Sequence, residues 1–495
     1  MTNISDKNIY RATYIYLALP LMIFLCAWLN VFCALLCVSL FGFAFYKAFP
    51  KTQDTDVFVI NGKMLLIAVI LAIVWCFLAG IGYFYYQSWD YHFRNAVFHD
   101  LINYNWPVFY DKARTPLVYY MGFYLFPAAL GKFIGLFISG TSTTFFIANI
   151  FLFIYAVVGV SLIFLLFAHS VRVKNIKQFF CCSLLFILFS GLDIIGYLFF
   201  QNGIQPFDYH LDWWASFIQF SSFSTGMFWA FNQFIPVALA ILLIYNEKDI
   251  KNFGFILPCM LFLAPYPTFT IGMFMLIYAL KCLVQISDKK YFLSYEVFSI
   301  QNIIGVFWLL PVVLLFLITN SGGIDRLNYV FQFMSFSQFL IFLLLEFLLY
   351  VLILFPSYKR DVFFITTCIM LLFIPLIRLD QQNNFCMRAS IPALIMLAVF
   401  TVQFLLERFH QKNFGFGTFA VIWLLILGSV TPMMEFYRGI HYTLESGRLN
   451  LVQDEIRTLN QAYVRMPVFG WSANHQFSAF NYKHDIFWQY MARKY

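Results

Sequence analysis

The chain has 495 residues, of which 62% are hydrophobic and 11% charged, with a formal net charge of +8. A mean hydropathy of +0.78 excludes an ordinary soluble globule. Apolar runs of about 20 residues recur along the whole length, as in a polytopic helical membrane protein, and no run of Lys and Arg forms a nucleic-acid patch, so the positive balance reads as loop charge retained in the cytoplasm.

Taken in order, residues 13–46 form one apolar run, interrupted only at Trp28-Leu29-Asn30. The length fits a hairpin of two short helices, with a single long tilted helix as the alternative. It is too long for the apolar core of a signal peptide, and no small-residue cleavage site follows it, so it reads as a retained anchor. Residues 64–86 form a clear span. Ten cysteines are present, nearly all inside apolar runs, without a CxxC, which points to neither a disulfide framework nor a zinc site.

Basic loops fix the expected topology. They are 47–63, 171–177, 247–252, 286–292, 358–361 and 408–412. If all lie in the cytoplasm, an even number of crossings separates each from the next. Between 63 and 171 the apolar runs are 64–86, 116–138 and 142–169, one too many. The run 116–138, with Pro116, Pro127, Lys132 and three glycines, is the one assigned to the outer surface, as a juxtamembrane or partly inserted helix pair. The remaining runs then alternate as about thirteen spans, with the N-terminus cytoplasmic. Four polar segments, 87–115, 201–228, 320–336 and 379–388, come together on the outer face. The chain is thus expected to be one all-α membrane domain, 1–432, with its site loop at 87–138, followed by a small outer tail, 433–495. Closing over the acceptor site is one reading of Asn481, Lys483 and His484 in that tail; a packed lid is the plainer expectation, and no role is assigned to them.

The polar stretch from Ser88 to Lys112, SWDYHFRNAVFHDLINYNWPVFYDK, is the focus of the chain. It concentrates Asp90, His92, Arg94, His99, Asp100, Asp111 and Lys112 just outside a span, where titratable groups default to chemistry. Residues 90–104 have helical spacing, with Phe93, Val97, Leu101 and Tyr104 on one stripe and His92, Asn95, His99 and Asn103 on another. Such a helix lies flat in the interface, and a merely solvated polar face is the plain alternative.

The next segment, DKARTPLVYYMGFYLFPAALGKFIG, completes a pattern: an aspartate at the end of an early span, an amphipathic helix in the first outer loop, then basic-Pro-Leu-x-Tyr-Tyr and a small-Gly-Lys turn. Over roughly residues 64–170 this resembles the GT-C class of membrane glycosyltransferases, whose aminoarabinose transferases and protein O-mannosyltransferases have a comparable layout. The resemblance implies an inverting transfer of sugar from a polyprenyl-phosphate donor to a glycan, lipid or protein acceptor. It implies a site facing the periplasm or exterior of a bacterial inner or plasma membrane, and Asp90 as general base. The acidic pair of many members is missing, since Tyr91 and His92 follow Asp90. A divalent metal ion is therefore left open, without an assigned ligand set.

The chemistry sets the other candidates. A leaving phosphate needs cations, and an arginine fork suits two of its oxygens. Arg388, in RLDQQNNFCMRASIP, is the first choice, with Arg114 or Lys112 beside it and Arg378 also facing outward; a snorkelling arginine is the alternative. His92 can orient Asp90 or the acceptor. His99, Asp193, His210, Asn232 and Gln233 complete the expected substrate lining, the last three from a segment that also holds Asp208 and Asp212. Glu346 falls within a span, where a charge costs roughly 2.5–3.5 kcal/mol, so it is expected protonated or paired. It is the feature that favours the rival reading, a transporter or flippase of a lipid-linked glycan.

Overall fold

A computed structural model of the chain describes residues 4–49, 59–138, 140–200, 210–216, 218–322, 328–379, 383–446, 458–460 and 476–494. The described residues are overwhelmingly helical, with three two-stranded antiparallel ribbons and two isolated bridges, Leu29 with Ala492 and Leu117 with Ser478. Among the described residues, nine helices are long and apolar enough to cross a membrane: α1 (Asp6–Trp28), α2 (Val31–Ala48), α6 (Thr141–Ser170), α9 (Phe223–Glu247), α11 (Pro265–Gln285), α12 (Ile300–Leu317), α13 (Phe336–Tyr358), α15 (Asn384–His410) and α16 (Phe416–Glu445). Four shorter apolar helices join them: α3 (Gly62–Leu78), α7 (Ile176–Ile187), α10 (Ile250–Leu263) and α14 (Val362–Leu376). Three more, α4 (Tyr91–Asn103), α5 (Gly122–Gly135) and α8 (Asp193–Phe200), carry polar or Gly/Pro-rich sequence between spans. The molecule is an all-α, multi-pass integral membrane protein.

Local chemistry explains the breaks. The apolar run 13–46 is two helices, because Leu29 is extended and the Asn30 side chain caps α2 by accepting from Cys33 N at 3.0 Å. Asn61 starts α3 in the same way, through Met64 N at 2.9 Å. α9 and α15 are the most enclosed helices, with α6 packed along α9, whereas α2 lies at the periphery. Between α10 and α12 the backbones meet at Gly254 and Gly305, and a Cβ on Gly305 would collide with Gly254 O. Small residues at such crossings let membrane helices approach closely where no hydrophobic force drives them together. Asn302 locks the crossing, accepting from Gly254 N at 2.6 Å and donating to Ile250 O at 2.8 Å.

Hydrogen bonds between distant segments define two ends of the bundle. At one end Asn252 Nδ2 donates to Ala48 O, Tyr14 donates to Glu247, and Gln403 Nε2 donates to Ser170 O. These segments adjoin the basic loops. At the other end the C-terminal residues stitch the polar segments together. Val118 N donates to Phe477 O, Ser321 N to Ser478 O, Phe480 N to Ser321 Oγ, and Asn30 N to Met491 O. Asp90 and Arg388 lie toward this second end, where Phe477 packs on Phe93 of α4 and on Tyr119 next to Tyr120.

Candidate functional site

The site is built on the return from α3. That helix stops at Leu78, and the chain turns back through Gly80 (φ 76°) and Gly82 (φ 85°), a left-handed conformation that glycine adopts without penalty. Gln87 Nε2 donates to Gly80 O at 2.8 Å, Tyr91 donates to Ala79 O at 2.8 Å, and Asn95 Nδ2 donates to Gln87 Oε1 at 2.9 Å. These three bonds fix α4 against the end of α3, with Asp90 as its first flanking residue. The far end of α4 is held by Lys132 of α5, whose ammonium donates to the carbonyls of Ile102 and Tyr104. A cation at a helix C-terminus meets the negative end of the helix dipole.

α4 is not a helix with one solvated stripe. His92, Arg94, Asn95 and Asp100 are buried together with the apolar positions, and the C-terminal residues pack on the helix, Leu459 N donating to Asp100 and Phe477 stacking on Phe93. Asp90 is the exception, with its side chain 46% exposed. Arg94, one turn on, is 5% exposed and donates from Nη2 to Asp90 Oδ2 at 3.1 Å. The guanidinium also lies over the Tyr91 ring at 5.6 Å. Burial is the largest influence and disfavours its charge, but the Asp90 carboxylate together with Tyr124, Tyr119 and Tyr91 outweighs it, so the pKa of Arg94 rises. Its Nη1 is buried without a hydrogen-bond partner.

Arg388, from the first turns of α15, reaches the same place. It donates from Nη1 to Tyr120 Oη at 2.7 Å and lies over the Tyr120 ring at 5.2 Å. Its Nε, like Arg94 Nη1, is buried without a partner. The Tyr119 and Tyr120 rings lie 3.7 Å apart, tilted by 33°, close to both arginines, and Arg94 and Arg388 are near enough to repel each other. The result is one half-exposed carboxylate and two buried guanidiniums around a tyrosine pair. Each guanidinium keeps an N–H free, in a place where an unmade hydrogen bond costs about 1–3 kcal/mol. The arrangement can receive an anion next to a proton acceptor.

The other expected residues separate from this group. His92 neighbours Asp90 in sequence but is buried edge-on against Trp89 at 4.7 Å. His99 sits at the far end of α4, with Nδ1 3.4 Å from Asp100. Lys112 and Arg114 lie on the exposed turn between Phe109–Tyr110 and Thr115–Pro116, and among the described residues neither side chain bonds to Asp90 or Arg388. Arg378 packs over Phe333 at 4.3 Å. Asn232 and Gln233 are sealed within α9 next to its kink at Ala230, where the adjacent Phe231 stacks on Tyr91. Asp208 lies outside the described residues.

Asp193 and His210 belong to a second polar centre. His210 Nδ1 stands 3.0 Å from Glu435 Oε1, and Arg438 Nη2 stands 3.2 Å from the same oxygen, with Trp229 Nε1 3.3 Å from Glu435 Oε2. Asp193 accepts from Ser190 at 2.8 Å and Thr431 at 2.9 Å. Glu346 accepts from Trp214 Nε1 at 2.9 Å.

Sequence reasoning missed Arg94, Tyr119 and Tyr120 as site members. The i, i+4 spacing of Asp90 and Arg94 on a helix was the available signal for the first. The tyrosines stood in the quoted RTPLVYY segment. Among the described residues no group of three or more His, Cys, Asp and Glu side chains is arranged to hold a metal ion, and Asp90 is engaged by an arginine, so the residues present do not fit a resident divalent metal. No family model, curated protein or solved structure matches the chain.

Proposed function

We propose that the protein is a GT-C-type membrane glycosyltransferase, with a polyprenyl-phosphate sugar as donor and a glycan, lipid or protein acceptor on the outer face. The observation that carries this reading is the half-exposed Asp90 carboxylate beside the two buried guanidiniums of Arg94 and Arg388. Asp90 takes the proton of the acceptor hydroxyl as its oxygen attacks the anomeric carbon. The bond to the phosphate oxygen breaks with inversion, and the leaving phosphate meets the free N–H groups of the arginines. A base in this role is worth about 10²–10⁴-fold in rate. The phosphate-binding role considered for Lys112 and Arg114 passes to Arg94 in this reading.

The proposal includes thirteen crossings, the nine long helices and the four shorter ones, with the N-terminus in the cytoplasm. Support comes from the bonds that gather the basic loops at the end opposite Asp90. The shortest of the four, α7, covers only about 18 Å at 1.5 Å per residue, and α8 continues its path toward the site end.

A transporter of lipid-linked glycans is the second reading, favoured by Glu346 buried within α13. Reconstituted protein given a polyprenyl-phosphate sugar separates the two. With Asp90→Asn, sugar transfer is lost and lipid flipping is untouched under the first reading. Full transfer by that variant removes Asp90 from the mechanism, and flipping without any transfer by the unaltered protein selects the transporter.

A further inference from the structure

The second polar centre joins four separate parts of the chain: residues 190–193 at the start of α8, the turn at 211–214, α13 and α16. The Asp193 and Glu346 carboxyls are fully enclosed on neighbouring segments: Leu192 N donates to Leu345 O at 3.1 Å, and Glu346 Oε2 lies against Gly191. Each has one oxygen served by donors. For Asp193 it is Oδ2, from Ser190 and Thr431, and for Glu346 it is Oε1, from Trp214. The remaining oxygens, Asp193 Oδ1 and Glu346 Oε2, have no donor. Gly191 leaves the space for this approach, since a Cβ there would collide with Glu346 Oε2.

Among the described residues, no Lys or Arg side chain is bonded to the pair. Arg438 is committed to Glu435 and His210. Tyr350 donates to Ser190 O rather than to either acid, and Cys386 donates to Gln219 O. Asp212, 2% exposed, is the other neighbour of both acids, and neither of its oxygens has a hydrogen-bond partner; Thr225 and the Ser222 backbone come near without closing a bond. Two adjacent carboxylates cannot both stay ionised without water or a counter-charge. One proton between their unserved oxygens satisfies both acceptors and removes one charge.

We propose that Asp193 and Glu346 form a proton-binding site, in which a single shared proton ties the start of α8 to α13. The proton comes from water and returns to it, and no other bond changes. The site is independent of the reaction served by Asp90. Its loss would leave two like charges pressing α13 away from residues 190–193, so the centre acts as a pH-dependent latch between those elements.

Infrared spectra of the full chain in lipid nanodiscs test this, read at the carbonyl stretch of protonated carboxyls with deuterium exchange. Glu346→Gln supplies an amide N–H where the proton was, so the spectrum at neutral pH should lose one protonated-carboxyl band while the fold persists. Thermal stability provides a readout that needs no variant. A proton held by the folded state but released by the unfolded chain makes stability decline as pH rises above the free-carboxyl range of about 4, so the Tm of the unaltered protein should fall from there upward, and Glu346→Gln should reduce that slope. An unchanged carboxyl band in Glu346→Gln, or a flat Tm profile in the unaltered protein, overturns the proposal. So does a Tm that sodium chloride raises, potassium chloride does not, and Glu346→Gln abolishes, since that marks a sodium site.

Discussion

Arg94 divides its guanidinium between two states: Nη2 holds Asp90 Oδ2 at 3.1 Å, and Nη1 is buried with no hydrogen-bond partner. An anion that engages Nη1 draws on the group that also orients the carboxylate, so donor binding and base position are coupled. Arg94→Lys keeps the charge but loses the planar fork. It should lower kcat by about 10²-fold or more, in the range seen when one donor to a developing charge is removed. Single-turnover transfer with a polyprenyl-phosphate sugar measures this.

Arg388 should report mainly on the lipid phosphate. Replacing it with Ala leaves Tyr120 without its donor and removes a buried cation, and apparent donor affinity should fall by about 10- to 100-fold if the arginine contributes the 1.5–3 kcal/mol usual for hydrogen bonds to charged groups. Binding of farnesyl phosphate, against farnesol as control, isolates the phosphate contribution. Equal binding of both ligands by the unaltered protein would argue against a phosphate site.

Gly80 turns the chain from α3 into the site. A Cβ there would strike Tyr86 O in a left-handed backbone. Gly80→Ala should destabilise the protein by about 1–3 kcal/mol, with early loss of protection in the amides of α4. Hydrogen exchange followed by mass spectrometry reads both.

Gly305→Leu tests the helix crossing. The added side chain has no room against Gly254 and should separate α10 from α12, at a cost of about 1–3 kcal/mol or more. A lowered Tm with unchanged transfer per folded molecule is the expected combination, because the crossing lies away from Asp90.

Asp212 gives a pH prediction with a definite sign. Burial first, and then the charges of Asp193 and Glu435, push its carboxyl well above the usual range. The folded state therefore binds a proton that the unfolded chain releases near pH 4, and stability declines as pH rises from there through the folded-state value. Asp212→Asn removes this dependence and should raise the Tm at neutral pH, by differential scanning fluorimetry.

Much of the architecture was readable from hydropathy alone. The break at Trp28-Leu29-Asn30 marked the hairpin because Asn30 is a good cap, and the long apolar runs became the long helices. The choice of Asp90 and Arg388 rested on where polar residues meet span ends. What periodicity left hidden was tertiary. The polar stripe of α4 read as solvated because the sequence of that helix does not reveal that a segment more than 300 residues later covers it. The acid centre draws Asp193, Asp212 and Glu346 from distant segments, and each looked isolated where it stood. Lys112 and Arg114 were attractive by charge, but their hairpin turn carries them into solvent.

The corner at residues 28–30 adds a constraint on biogenesis. Asn30 Nδ2 donates to Tyr490 O across 460 positions of sequence, and Trp28 O accepts from Arg493 N. At roughly 5–20 residues per second, the ribosome supplies those partners on the order of 20–90 s after the corner has been made. Through that interval the polar elbow of the first hairpin lacks the partners that the finished fold supplies, and only the closing of the chain back on its own beginning provides them.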